Sequence, residues 1–421
     1  MLLTILLKHI LENKNNFDMK KILLTLCCVV SQLISAQITS EELRSAKLGE
    51  SRKITIIAPE QYDKNQKYPL FVVLNADRLL EPVVSSMRYF VRSGEVPPAI
   101  IVGVYNEQHE VIVPEETGVP FNDSANFFEF IGQEVIPHVQ KKYSTNNFKG
   151  IIADGDAGNF INYYLLKENS LFNAYFSLNP TLLPNIIDPL ATQLGTFKKP
   201  IFYYLAWTEN EDNSKVNKIN KLHRTINTVQ SENVMYFAGN FPKVSPIAVA
   251  PGGIPEALNL TFSEYRPISM REYAEKVVKI NENVVGYLQD KYQDIKNLYD
   301  IDKKPLIEDI KAIYAAILKN GDLESLPILA NFVRPYYKET ALADFFEADY
   351  YDRLGDMKRA LRSYQRAFAL SGIDFVSKEM LGQKLEVLQK NNRKKGKRGA
   401  EPVQETPTEE LQSTEQEIPI E

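Results

Sequence analysis

A short apolar strand followed by a turn of small residues and an apolar helix is the segment of this sequence best placed to carry chemistry. Residues 151–153 (Ile-Ile-Ala) predict the strand, and residues 160–165 predict the helix. A sharp strand-to-helix turn can hold a nucleophilic side chain above the edge of a sheet. The turn contains neither Ser nor Cys and reads Asp154, Gly155, Asp156, Ala157, Gly158.

The elements that would position this turn follow an α/β pattern from residue 52 to about residue 238. Apolar runs such as residues 70–74 (Leu-Phe-Val-Val-Leu) are typical of strands buried on both faces of a parallel sheet. Helical periodicity covers 126–142 and 216–229, and this alternation predicts a three-layer α/β domain with a mainly parallel sheet. The predicted strands are residues 53–58, 69–75, 99–104, 149–153, 174–178, 200–206 and 233–238.

The N-terminal residues predict export. Met19-Lys-Lys precedes an apolar run, residues 22–34, which is followed by the small residues Ser35 and Ala36. We interpret residues 1–36 as a signal peptide, with the true start at Met19 and cleavage before Gln37, which makes the protein periplasmic or secreted. The run is too short to remain as a membrane span. A retained anchor and lipidation at Cys27 or Cys28 are the alternatives.

The amino-acid composition excludes several kinds of catalytic chemistry and of partner. Both cysteines lie in the leader, so the mature chain has no disulfide, no thiol nucleophile and no Cys-based metal site. We expect neither a metal nor a cofactor. Apolar residues make up 44% of the chain, which indicates a packed globular core. The net charge of −5 gives no reason to expect nucleic acid or an anionic membrane as a partner.

Helical patterns replace the strand signals after residue 268. We predict a helical linker over 269–304 and helical hairpins over 305–391. Two Gly-Asp breaks, at Gly321 and Gly355, are separated by 34 residues, the period of a tetratricopeptide repeat. Such a repeat would offer a groove to a protein partner, whereas an ordinary helical hairpin is the alternative. Residues 393–398 are basic, and residues 401–421 are acidic and poor in large apolar side chains, which predicts a disordered tail over 392–421.

Several segments of residues 37–268 together resemble the putative esterase family of α/β hydrolases, which includes esterase D and enterochelin-esterase-like proteins. The resemblance covers about 48–266 and implies an α/β-hydrolase three-layer sandwich that cleaves carboxylic or siderophore-type esters. It would require a Ser nucleophile, an acid, a His base and an oxyanion hole. The segments that carry it are residues 52–59, 68–74, 96–104, 130–137, 171–175, 179–180 and 254–258.

The family's nucleophile has no counterpart at the turn. An ungapped count from residues 171–175 places Gly155 where the family has Ser, with Asp154 before it. A shift by one residue places Asp156 there, and a carboxylate nucleophile is known in other enzymes of this fold. The resemblance therefore implies either a turn without chemistry or an unusual Asp156 nucleophile.

The family's acid, base and oxyanion hole are also matched only in part. The acid would follow residues 200–206, where Glu209, Glu211 and Asp212 lie. The base would lie in the loop over 240–253, but this loop has no His, and Pro246 falls near the expected position. Backbone groups of Asn75, Ala76 and Asp156 are the oxyanion-hole candidates. The histidines of the mature chain lie elsewhere, at His109, His138 and His223.

Two functions follow from these residues. One is a non-catalytic protein that binds a partner through its helical repeat. The other is an active hydrolase of an ester-like small molecule that uses Asp156. A further alternative is a Ca²⁺ site formed by Asp77, Asp154 and Asp156, since hard cations prefer oxygen ligands.

Overall fold

A computed structural model describes the backbone of residues 38–398 and the side chains of residues 38–390. One sheet has the strand order β1-β2-β4-β3-β5-β6-β7-β8. β1 is antiparallel to β2 and β2 to β4, whereas the other neighbouring strands are parallel. The strands are β1 Ile38–Arg44, β2 Ser51–Ile57, β3 Tyr68–Val73, β4 Ile100–Val104, β5 Thr145–Asp154, β6 Ala174–Leu178, β7 Ile201–Trp207 and β8 Val234–Asn240.

The predicted α/β architecture is confirmed. Each of the seven predicted strands corresponds to one of β2–β8. The central strands β3, β4, β6 and β7 are buried along their whole length, because helices cover both faces of the sheet. β1 was not predicted, since its residues do not form an apolar run and it lies at the edge of the sheet.

Helices cover the sheet on two faces. On one face, Val72, Ile151 and Tyr203 belong to a buried cluster with residues of α2, α6 and α7. On the other face, Gly103 of β4 lies against Ala76 and Leu80 of α1, where a larger side chain would clash. The helices are α1 Ala76–Arg92, α2 Asp123–Phe130, α3 Ile136–Lys142, α4 Gly155–Phe160, α5 Asn162–Leu165, α6 Ile187–Leu194, α7 Asn213–Ile226 and α8 Val249–Thr261.

The rest of the described chain is helical. The helices are α9 Met270–Glu275, α10 Val284–Tyr299, α11 Ile307–Asn320, α12 Ser325–Val333, α13 Leu342–Arg353, α14 Met357–Ala369 and α15 Lys378–Arg398. Gly321 and Gly355, both with positive φ, follow α11 and α13, where the sequence predicted breaks. Assignment of these hairpins to the tetratricopeptide class stays a prediction.

The chain divides into two compact units that are not contiguous in sequence. Within the described residues, the α/β unit comprises 38–269 and 290–303, and the helical unit comprises 270–289 and 304–398. The predicted linker is therefore shared between the units. Its C-terminal part belongs to the α/β unit because Tyr299 packs among Phe148, Phe202 and Phe262.

Two predicted segments fall wholly or largely outside the described residues. The signal peptide lies there entirely, and so does the predicted tail from residue 399 onward. The first residues of that tail form the end of α15. None of the helices within residues 38–398 combines the length and the apolar character needed to cross a membrane.

Candidate functional site

The turn after β5 has the backbone of a nucleophile-bearing elbow, but a glycine occupies its critical position. β5 ends at Asp154, and Gly155 follows with φ +58° before the chain enters α4. A residue with a Cβ is strained at this φ, whereas Gly adopts it readily. The positive φ lies at Gly155 rather than at Asp156, which favours Gly155 as the counterpart of the nucleophile, and no side chain projects from it.

A polar network holds Asp154 beside the turn. Oδ1 of Asp154 accepts hydrogen bonds from Nδ2 of Asn75 at 2.6 Å and from Nη2 of Arg78 at 2.8 Å. Nδ2 of Asn106 in turn donates to Oδ1 of Asn75 at 3.0 Å. The network joins the C-terminal ends of β3, β4 and β5, so Asp154 has a structural role.

The Ca²⁺ alternative is contradicted. Arg78 neutralises Asp154 directly, and Asp77 is exposed to solvent. No group of three or more His, Cys, Asp or Glu side chains in the described part of the chain is arranged to hold a metal ion. A hard cation would need several free oxygen ligands at one point.

Two of the three oxyanion-hole candidates keep their backbone donors. Asn75 has φ +50° and its N–H donates to Oδ1 of Asn106 at 2.7 Å, so this donor is already used. Ala76 and Asp156 lie in the first turns of α1 and α4. Backbone N–H groups at these positions lack intrahelical partners and can receive an acceptor.

Each acid candidate after β7 is held by nearby residues. Oε1 of Glu209 accepts from Nδ2 of Asn240 at 3.0 Å. Asp212 caps α7 by accepting from the N–H groups of Ser214 and Lys215. Neither carboxylate is directed at a base.

Glu211 is the least exposed of these acids. Oε1 accepts from Nδ2 of Asn179 and from Nζ of Lys215, each at 2.8 Å. Partial burial raises the pKa of Glu211, but the hydrogen bonds from Lys215 and Asn179 and the charge of Lys215 outweigh it, so the pKa is lowered. Glu211 is thus an ionised anchor for the loop after β6.

The loop expected to carry the base is in place but has no His. Phe241 N–H donates to Trp207 O and Thr208 Oγ1 donates to Val244 O, each at 2.8 Å. These bonds fix the loop at the C-terminal end of β7. Pro246 is exposed in this loop, at the start of a short 3₁₀ turn before α8. A proline side chain cannot accept or donate a proton.

The three described histidines are engaged elsewhere. Nε2 of His138 lies 2.8 Å from Glu41 of β1, and Nε2 of the exposed His109 lies 3.8 Å from Asp123. Nδ1 of His223 lies 2.8 Å from the hydroxyl of Tyr236. Burial and the charge of Arg224 lower the pKa of His223. None of the three forms a hydrogen bond with a residue of the turn after β5.

Arg78, Asn106 and Asn179 complete the site and were not predicted. Asn179 follows β6 with φ +45° and is almost fully buried, and its Oδ1 has no hydrogen-bond donor among the described residues. Asn tolerates the left-handed backbone better than most residues. An Asn at the end of a predicted strand or directly after it, as at Asn75 and Asn179, was the available signal.

The strand order and the elbow after β5 define the class of the α/β unit as an α/β-hydrolase fold. The profile of the family described as "Putative esterase" matches residues 45–234. No curated protein gives a significant match to the chain.

The solved structures similar to the chain include the following two. An uncharacterised protein of Capnocytophaga ochracea is 38% identical, with 84% of this chain and 99% of that chain covered and a TM-score of 0.80. An IroE-like serine hydrolase of Shewanella oneidensis is 16% identical, with 71% and 99% covered and a TM-score of 0.55, which supports the fold alone. Through residues 45–234, the α/β unit belongs to the putative esterase family.

Proposed function

We propose that the protein is an exported, non-catalytic member of the esterase family that binds a partner. The observation that carries this proposal is the glycine at the elbow, Gly155, which offers no nucleophilic atom. The proline in the base loop, Pro246, supports it independently, because two separate parts of the catalytic apparatus are missing. The scaffold around them is intact, which favours a retained binding role.

The alternative is a hydrolase that uses Asp156. One observation favours it: the carboxylate of Asp156 is half-buried and makes no hydrogen bond within residues 38–390, unlike that of Asp154. A carboxylate nucleophile would still need a proton donor for the leaving group. The elbow offers Arg78, which is a poor acid because its guanidinium stays protonated.

We expect no ester hydrolysis by the purified chain from Gln37 to Glu421. With p-nitrophenyl acetate, the rate should equal that of buffer, while a serine esterase in the same assay gives turnover. Gly155→Ser should remain inactive, because no His lies in the base loop. The added Cβ would strain the elbow by about 1–2 kcal/mol. Its nearest neighbour, Nη2 of Arg78, is 4.0 Å away, so the strain lies in the backbone.

Turnover clearly above buffer would contradict the non-catalytic proposal. Its loss in Asp156→Asn, with Asp77→Asn as the matched control, would then establish the alternative. Asp77 is suitable because it is an exposed acid in the first turn of α1.

We assign partner binding to the helical unit. Leu354 and Phe368 are large apolar side chains exposed on this unit, by 51% and 44%. An exposed apolar side chain of this kind can contribute to a surface that binds a partner. Consecutive hairpins, α11 with α12 and α13 with α14, provide a surface of the kind that helical repeats use.

A capture experiment from the native envelope tests this assignment and export together. The protein recovered there should begin at Gln37, as cleavage of the leader predicts. A partner that co-purifies with the wild type should be lost with Phe368→Glu and retained with Tyr89→Glu, an equally drastic change at an exposed aromatic of the α/β unit. Equal retention by both variants would contradict a role for the helical unit.

A further inference from the structure

A cavity of about 290 Å³ lies at the edge of the sheet opposite the elbow. Tyr68 lines it and pairs with Thr145 at the start of β5, whereas the elbow follows the other end of β5. The walls come from the end of β2, the start of β3 and β4, and the C-terminal half of α1. Its apolar lining includes Ile57, Ala58, Val84, Met87, Val91 and Ile101.

Two arginines and one glutamate also line this cavity. Nη2 of Arg92 lies 2.6 Å from Oε1 of Glu60, whereas Nε of Arg88 lies 3.8 Å from the same oxygen, beyond hydrogen-bond distance. The side chain of Arg88 is 36% exposed and makes no hydrogen bond with any described residue. Two guanidinium groups thus face one carboxylate, which leaves one positive charge and several N–H donors unmatched.

Tyr68 adds a neutral donor to the same lining. Its hydroxyl oxygen accepts the N–H of Asp63 at 2.8 Å, and its own proton has no acceptor among the described residues. Burial raises the pKa of Tyr68, so the hydroxyl stays protonated and can donate. The cavity therefore combines apolar walls with donors that suit an anionic head group.

We propose that this cavity binds a medium-chain monocarboxylate, with its alkyl chain against the apolar walls and its carboxylate between Arg88 and Arg92. Guanidinium groups bind carboxylates through paired, charge-assisted hydrogen bonds. Because one positive charge is unmatched, a ligand with a single negative charge would neutralise the site. At ~30 Å³ for each water-sized group, the cavity has room for roughly ten non-hydrogen atoms, as in octanoate. This site is separate from the elbow and does not depend on the proposed function.

Calorimetric titration of the chain from Gln37 to Glu421 with butanoate, hexanoate, octanoate and decanoate tests the proposal. We expect saturable binding at one site, roughly fourfold tighter for each methylene up to octanoate and no tighter beyond it. Octan-1-ol, which has the same chain without the charge, should bind at least tenfold more weakly than octanoate. Absence of saturable binding for all four acids, or equal affinity for octanol and octanoate, would overturn the proposal.

Variants then locate the site. Arg88→Gln should weaken octanoate binding about tenfold, since a charge-assisted contact is lost. Val91→Trp should fill the cavity and abolish binding. Arg44→Gln is the matched control, because Arg44 is exposed and pairs with Ser51 at the other end of β2. If Val91→Trp does not fold, Arg88→Gln decides: affinity equal to that of wild type would place octanoate elsewhere and overturn the assignment.

Discussion

Glu110→Gln is expected to lower the free energy of unfolding by about 3 kcal/mol. Glu110 and Arg52 form a two-point ion pair, with Oε2 2.5 Å from Nη1 and Oε1 2.7 Å from Nη2. The side chains are only 5% and 8% exposed. Removal of one partner leaves the other charge buried, which costs ~3–5 kcal/mol. The lower value applies because Glu50 also contacts Arg52.

The pair matters for the site because it fixes the loop after β4. Oε2 of Glu110 also accepts the N–H of Glu107 at 2.7 Å, and Nη1 of Arg52 donates to Tyr105 O at 3.1 Å. These contacts close the start of the loop beside Asn106, whose amide belongs to the elbow network. We therefore expect the same variant to loosen the network around Asp154.

Urea unfolding followed by tryptophan fluorescence measures the effect. Trp207 is the single Trp of the chain and is buried in β7, so the signal reports on the α/β unit. Glu50→Gln is the matched control, since Glu50 is 60% exposed and its loss should cost less than about 1 kcal/mol. Equal destabilisation by the two variants would show that burial of the pair does not matter.

Tyr299→Ala is expected to destabilise the α/β unit by about 3–5 kcal/mol. The ring is fully buried at the end of α10, with centroids 5.7 Å from Phe148, 5.7 Å from Phe202 and 5.0 Å from Phe262. Its loss would remove aromatic contacts and leave a cavity that the rigid strands cannot close. The hydroxyl also donates to Thr261 O at 2.8 Å.

Tyr299→Phe separates packing from hydrogen bonding. This variant keeps the ring and loses only the bond to Thr261, so we expect a cost of about 1 kcal/mol. Both variants can be followed through Trp207 in the same urea titration. A result in which Tyr299→Ala costs no more than Tyr299→Phe would contradict the assignment of residues 290–303 to the α/β unit.

The sheet was predictable because its strands are short apolar runs separated by helical periodicity. In a chain of this composition, the apolar run from Leu70 to Leu74 predicts a buried strand. β1 was not predictable in the same way. Its side chains alternate between exposed and partly buried at the edge of the sheet. Pairing with β2 stabilises it, and the residues of β1 alone do not predict that pairing.

The candidate site was predictable only as far as local sequence determines it. The elbow was found because strand, small residues and helix are contiguous. The φ of +58° at Gly155 favours one of its two registers, and this information comes from the backbone rather than from the sequence. The partners of Asp154 could not be found this way: Asn75 and Arg78 are 79 and 76 residues away in sequence, and only the parallel pairing of β3 with β5 brings them together.

The interleaving of the two units has a consequence for synthesis of the protein. The α/β unit lacks residues 290–303 until they leave the ribosome, and residues 270–289 of the other unit emerge before them. Domains generally fold as units while the chain emerges, beginning from the N terminus. Until Tyr299 emerges from the ribosome, Phe148, Phe202 and Phe262 lack its packing contacts. Residues 270–289 of the helical unit have emerged by then. Completion of the two units is therefore coupled in time during translation.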